Sequence, residues 1–438
     1  MTQFFSEYLG LVVDFVLVKW YGWVLFLWLL IWIYYKLQII KNQKIWIDKV
    51  KWVFLQVKIE ELNEKSPLAM EQVFAALHAI HTNYTWGEKL DGKVILWLSC
   101  EIVSIGGKVS YVFKIPERYR NLLESAIFAQ YPKAEVHEIE DYLKNLPHLY
   151  DPRTADFDFF GTQLNKKKEN PYPVRTYTAF EHPEQKTVID PLSGVLEVMS
   201  NLQPYELMIS QLVIRPVDDK WKEHAKPLID KLKGAPEKHE SSFFDWILAI
   251  PGFFLGLFVE GFLTGPSEDK HKPQQKQDEP PSQMLHKTEG EKQIIAAIEH
   301  GLTKIGFEFR FRLFYLAPKG KLNKSLRVPE IIGAYRNFDD VSTNGLKPDL
   351  GHTWTDVPYK VHAQLEEPII RHRILVRKRH MLHNLLMRSY WRGSGYGIMN
   401  TEELATLYHF PQSPNARVSQ IERTQMVKSA PPADLPIG

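Results

Sequence analysis

With 438 residues and a net charge of only +2, the chain is long enough for two or three domains, and its overall charge excludes a global polyelectrolyte role. A single cysteine, Cys100, excludes an internal disulfide, suits a reducing compartment and reads as a small buried hydrophobe in a strand.

The first element is the apolar and aromatic run Trp20–Tyr35, WYGWVLFLWLLIWIYY. As a helix it rises about 24 Å, against a hydrocarbon core of roughly 30 Å. Extension back through Leu11, Val12, Val13, Phe15 and Val18 makes up the difference. Trp20, Trp23, Trp28, Trp32 and Tyr35 mark the expected anchor, and the aromatics at its two ends fit an interfacial belt. Lys36, Lys41, Lys44, Lys49 and Lys51 follow against one Asp48, whereas Glu7 and Asp14 precede the run with Lys19. The positive side stays inside, which predicts a single-pass protein of the cell membrane, N-terminus outside, with its bulk in the cytoplasm. A cleaved signal peptide is disfavoured by the absent basic n-region, the bulky apolar stretch and the missing small-residue cleavage site. A buried core helix is disfavoured because the run is apolar on every side.

Residues 1–50 therefore read as anchor and juxtamembrane helix. Residues 51–143 then carry six elements in order. Trp52–Glu60 alternates as a strand, Ser66-Pro67 opens a helix to about His81, and Val94–Ile105 and Lys108–Ile115 form a hairpin across Gly106-Gly107. Pro116 opens a second helix to Gln130, and Ala134–Glu140 is the last strand. The order β-α-β-β-α-β predicts a ferredoxin-like (split βαβ) unit, hence an α+β fold.

Residues 144–172 are polar and proline-bearing and read as a connector. A second ferredoxin-like unit is expected over 173–345, opening with a strand at Val174–Phe180. A helix from Asp190-Pro191 to Leu202, a strand Glu206–Arg215 and a charged helix Asp218–Lys233 follow. An insertion over 234–288 interrupts the unit. Its Phe243–Leu263 is hydrophobic but broken by Pro251, Gly252, Gly256 and Gly261, which favours lying in the membrane interface over spanning. Its Gly265–Thr288 is rich in Pro, Gln, Lys and Asp and reads as a disordered linker. The pattern resumes with a helix Glu289–Lys304, a strand Gly306–Leu316 and a helix near Val328–Phe338. In 346–438, Ile369–Arg392 reads as a strand followed by a basic helix, Thr401-Glu402-Glu403 opens a short helix, and an extended tail ends the chain.

No reading of these residues completes a catalytic, cofactor or metal motif. Gly301 and Gly306 have phosphate-loop separation but are followed by Phe307-Glu308 rather than Lys-Ser/Thr. His78 with His81, and His380 with His383, have metal-ligand spacing without a third ligand and read as surface histidines. Tyr111 and Phe113 share a strand face, as in an RNA-recognition module, but lack the Lys/Arg-Gly-Phe arrangement. The best interaction surface in the sequence is the basic set Arg371, Arg373, Arg377, Lys378, Arg379, Arg388 and Arg392, with Tyr390 and Trp391 beside it. Nucleic-acid phosphate, anionic lipid or a partner domain would each suit it.

Several segments are similar to the N-terminal region of membrane-anchored conjugative-transfer ATPases related to type IV secretion motor proteins (HerA/FtsK-like), found in bacteria of the candidate phyla. They are Pro67-x-Ala69-Met70-Glu71-Gln72, Ser99–Gly107, Pro116 through Tyr119-Arg120-Asn121-Leu122-x-Glu124-Ser125 to Tyr131-Pro132, Glu140-Asp141-Tyr142, Asp190-Pro191-Leu192, Asn400–Pro411 and the tail Ala430–Pro436. In that family the ATPase domain would begin just after such a tail, so its phosphate-binding and arginine-finger residues have no positions here. The resemblance implies a non-catalytic membrane platform or scaffold without cofactor. Its expected partners are membrane lipid, a separate motor ATPase and other copies of itself. The alternative is a membrane-tethered nucleic-acid-binding protein using 371–392.

Overall fold

A computed structural model describes residues 22–412 apart from 61–62, 183–186, 189, 224, 234–286 and 357–362. Trp20, the hydrophobic insertion, the linker and the tail lie outside the described residues. Helix α1, Gly22–Asp48, leads into the body. The body's first half comprises β1 Trp52–Lys58, α2 Pro67–Leu77, α3 Trp86–Leu90, β2 Leu98–Ile105, β3 Lys108–Pro116, α4 Arg120–Gln130 and β4 Glu135–Ile139. Its strands lie in the order β2-β3-β1-β4, all antiparallel. Local chemistry sets the boundaries. Pro67 starts α2 in the first turn, where a missing N–H is harmless. Gly106 and Gly107 take φ of 58° and 88°, which the two-residue turn between β2 and β3 requires.

The second half repeats the strand order. It comprises β5 Phe157–Lys166, α5 Ser193–Ser200, β8 Leu207–Pro216, α6 Lys220–Glu223, α7 Lys226–Lys233, α8 Glu289–Thr303, β9 Gly306–Pro318, α9 Lys324–Tyr335 and β10 Leu346–Pro348. A small hairpin, β6 Glu181–His182 and β7 Thr187–Val188, stands apart. The order here is β8-β9-β5-β10. The two halves join through β2 and β8, which pair antiparallel from Leu98↔Ile214 to Ile105↔Leu207. The chain ends its described course with α10 Ala363–Met387, β11 Gly397–Asn400, which pairs antiparallel with the start of β9, and α11 Thr401–Leu407. One α+β body results, built on a single nine-stranded antiparallel sheet.

Three sequence expectations change. The connector 144–172 contains β5, the first strand of the second half. Its polar residues Gln163 and Asn165 disguise it, and Gly161 sits where Phe314 approaches so closely that a Cβ would lie 2.9 Å from the ring. Val174–Phe180 is not a strand, because its backbone is bound by side chains. Val174 N donates to Glu403 Oε1 and Tyr177 N to Thr406 Oγ1, both at 2.9 Å, and Tyr177–Phe180 curls into a 3-10 turn. Ile369–Arg392 is not strand then helix, since α10 runs through Ile369 and Ile370 to Met387. Its buried Met381, Leu382 and Leu385 pack on the sheet, and packing overrides β-branched propensity.

The sheet has two covered faces. Helices α2, α4, α5 and α9 lie on one, joined in a single apolar cluster that includes Phe74, Ile127, Leu196, Tyr335 and strand residues Leu55, Phe113 and Phe311. The other face receives α10 and the 142–155 segment around Phe159, Ile209 and Phe314. The outer side of β5 is sealed by side chains, with Gly161 N donating to Thr355 Oγ1 at 2.8 Å and Gln163 N to Thr353 Oγ1 at 2.9 Å. That closure satisfies backbone groups an open edge would leave to other chains.

Candidate functional site

Helix α1 is built onto the body at one end and bare at the other. Trp23, Trp28, Trp32 and Tyr35 are 74 %, 63 %, 47 % and 39 % exposed, and their apolar neighbours are exposed with them. From Gln38 onward, half-buried positions recur at three-to-four-residue spacing through Asn42, Trp46 and Val50. Asn42 Nδ2 donates to Leu90 O at 3.1 Å, Trp46 meets Tyr84 edge-on, and Ile47 and Trp52 pack beside Trp97 and Tyr390. Among the described residues no helix is long and apolar enough to cross a membrane. The described part of the apolar run, 22–35, rises about 21 Å, and the rest precedes it.

The basic set is dispersed. Arg388 is fully buried with a positive φ of 49°, and its guanidinium binds Asp141 bidentately at 2.6 and 2.8 Å and Glu101 at 3.1 Å. Lys378 is buried, pairs with Asp158 and lies over Tyr150. Arg377 donates to the carbonyls of Leu350, Gly351 and Trp354, and Arg379 to that of Tyr150. Arg371, Arg373 and Arg392 are exposed. Four of the seven cations thus hold the fold, and a continuous basic face is not formed. Tyr390 is buried against Arg215 and Glu308, while Trp391 stays 46 % exposed.

Sequence reasoning missed a buried polar row at the middle of the sheet. Glu101, Gln211, Arg312 and Gln163 stand directly opposite one another on β2, β8, β9 and β5, each at most 1 % exposed. Glu101 Oε1 accepts from Ser99 at 2.7 Å, Gln211 at 3.0 Å and Arg388 at 3.1 Å, and Oε2 accepts from Tyr142 at 2.6 Å. Arg312 donates to the carbonyls of Ser389 and Arg392 at 2.6 and 2.7 Å. Burial, then neighbouring Arg310, push the Arg312 guanidinium down to about 9, still cationic at neutral pH. Burial pulls Arg388 the same way, but Glu101, Tyr142 and Asp141 raise it above its ordinary value. The row pins the 388–396 loop to the sheet. A signal for it existed in Phe307–Arg312, where charges alternate with phenylalanine, but alternation alone reads as a solvent face.

On the helix face, α11 bridges the halves. Residues 401–412 are buried throughout. An Asn400–Glu403 capping box starts the helix, and Lys166 Nζ meets Glu403 at 2.7 Å with both side chains 3 % exposed. Tyr408 packs on Phe74 and Phe113, and Phe410 on Tyr111 and Tyr131. Tyr111 and Phe113 are therefore core residues of the helix face and unavailable for base stacking. His409 Nδ1 faces Ala405 O at 2.8 Å and Nε2 faces Asp190 at 3.1 Å.

A cavity of about 650 Å³ lies beside this bridge, lined by Asn165, Lys166, Lys168, Trp221, Asp349 and Tyr396 among others. Its lysines are engaged, Lys166 by Glu403 and Lys168 by the carbonyls of Val341 and Ser342. His78 and His81 stack with rings 5.5 Å apart instead of converging on a point, and His78 Nε2 is taken by Val217 O at 2.8 Å. Among the described residues no group of three or more His, Cys, Asp or Glu is placed to hold a metal ion. Compared with known proteins, the chain matches no family model and no curated protein.

Proposed function

We propose that the chain is a membrane-anchored, non-catalytic platform of a conjugation- or type IV secretion-like assembly. Its two halves are two ferredoxin-like units in this reading, held at the inner side of the cell membrane with the N-terminus outside. The observation that carries the reading is α1, a helix whose first half exposes tryptophan and aliphatic side chains on all sides while its second half is packed into the body. In water that apolar surface is costly, and in lipid it is not. The bridge supports the platform role, since α11 and the residues after it to 412 are buried and hold the two halves together. Recruitment would act by mass action, raising the effective concentration of a separate motor ATPase at the bilayer.

The test is fractionation of the intact chain together with its nucleotide turnover. The chain should stay with membranes through alkaline wash, need detergent for release, turn over no nucleotide alone, and retain a motor ATPase on affinity capture. Recovery in the soluble fraction without detergent, or turnover by the pure chain, would overturn the proposal.

A further inference from the structure

The two edges of the sheet differ. At one end the outer side of β5 is sealed by Thr353, Thr355 and the short β10. At the other end lies β4, and among the described residues no backbone group pairs with its outer side. Glu117 N donates to Lys51 O at 2.9 Å, so Lys51 and Glu117 are a hydrogen-bonded pair, and alternation along β1 then turns Phe54, Gln56 and Lys58 toward β4. Their partners are Ile139, His137 and Glu135, which leaves the N–H and C=O groups of Val136 and Glu138 facing outward. Such an edge is a template for an added strand. Its exposed side chains are acidic at Glu135 and Glu138, with Arg120 offsetting the second.

The chain leaves the body beside this edge. Phe410 meets Tyr131, just past α4, with rings 5.0 Å apart, and Asn63 Nδ2 donates to Pro411 O at 3.0 Å. Phe410 also meets Tyr111 at 5.1 Å, and Tyr111, Val57 and Val136 are successive partners across β3, β1 and β4. A strand added outside β4 would lie three strand spacings, about 14 Å, from Phe410. The chain from Phe410 to Arg417 spans about 23 Å when extended. Residues 413–438 lie outside the described residues. Between Pro414 and Pro431 their sequence has neither proline nor glycine, so every residue there carries an N–H to offer. Arg417–Arg423, RVSQIER, sets β-branched Val418 and Ile421 between two arginines with one glutamate, opposite in net sign to Glu135 and Glu138. We propose that Arg417–Arg423 adds to β4 of the same chain as an edge strand and closes the sheet at this end. The proposal is independent of the membrane reading above.

Hydrogen exchange on the intact, detergent-solubilised chain tests the pairing. The amides of Val136 and Glu138 should be protected. Ser419→Pro with Gln420→Pro removes a donor whichever way the added strand lies, and should speed exchange at 136 and 138 by roughly tenfold or more. The amides of His137 and Ile139, bonded to β1, should change much less. Fast exchange at 136 and 138 in the unaltered chain, or protection that survives the two prolines, overturns the proposal. Cys100 is the one cysteine and is fully buried, so disulfide trapping reads the geometry. Glu138→Cys, combined in turn with single cysteines from Arg417 to Arg423, should cross-link within one chain and most strongly at alternate positions. Absence of cross-links, or cross-links without that alternation, overturns the strand. Cross-links between chains only would give the edge to the tail of a second copy and overturn pairing within one chain.

Discussion

The two faces of the sheet are both buried, but they are held by different physics. The helix face is an apolar cluster in which α2, α4, α5 and α9 lay leucine, isoleucine and aromatic side chains over the strands. Its stability is spread over many interchangeable contacts, and small volume changes are absorbed. The opposite face carries Glu101, Gln211 and Arg312 at its centre, each fully buried. There stability is concentrated in a few charged hydrogen bonds, and an unpaired partner is costly. Such a row is specific about what covers it, since only a segment that offers carbonyls and a guanidinium in register satisfies it. The 388–396 loop does so, with Arg388 as its fixed point.

The contrast is open to direct test by equilibrium unfolding of the detergent-solubilised chain. The largest effect is expected at Arg388. Arg388→Met strips Glu101 and Asp141 of their cation and should cost about 3–5 kcal/mol, while pairing it with Glu101→Gln should recover part of the loss. A loss no greater than that of a surface substitution would mean that water enters and the row is not sealed. Next comes the closed edge. Thr355→Val removes the acceptor of Gly161 N and should cost about 1–3 kcal/mol, with faster amide exchange along β5 as the local signature. On the apolar face, Ile127→Val should cost only about 0.5–1.5 kcal/mol, although Ile127 is fully buried. If Ile127→Val proved as damaging as Arg388→Met, the two faces would not differ in kind.

The smallest expected effect is confined to acid pH. Burial acts to raise the Asp190 carboxyl, but His409 and the backbone N–H groups of Gln412 and Leu192 outweigh it and hold the group below its ordinary value. A depressed carboxyl stabilises the fold fully above the unfolded value of about 3.9 and loses that contribution as pH falls through the folded value. Asp190→Asn should therefore flatten the acid limb of a stability–pH profile and leave its shape unchanged above about pH 5. An unchanged acid limb would show that the His409–Asp190 contact contributes nothing to folding.

The order of elements in the first half was legible because its strands alternate, its helices open at Pro67 and Pro116, and Gly106-Gly107 marks the hairpin. The second half was harder. β5 hid among polar residues, because Gln163 is polar although buried and Asn165, half-buried, shares its face. Val174–Phe180 has the composition of a strand, but its backbone partners are side chains of α11, more than two hundred residues away. The basic set 371–392 was visible as charge. Its dispersal was not, because whether an arginine meets solvent, a carbonyl or a carboxylate depends on segments distant in sequence.

The residues by themselves determined the greasy N-terminal helix with its lysine flank, the alternating strands and the proline and glycine punctuation, since these follow from hydropathy period and backbone geometry within a few residues. Tertiary structure alone decided that the two halves share one sheet through β2 and β8, that the charged row is covered, and that Arg388 is a keystone rather than a surface cation. Those outcomes depend on which strand edges meet and which segment lies over them, and contacts of that range leave no local period to read.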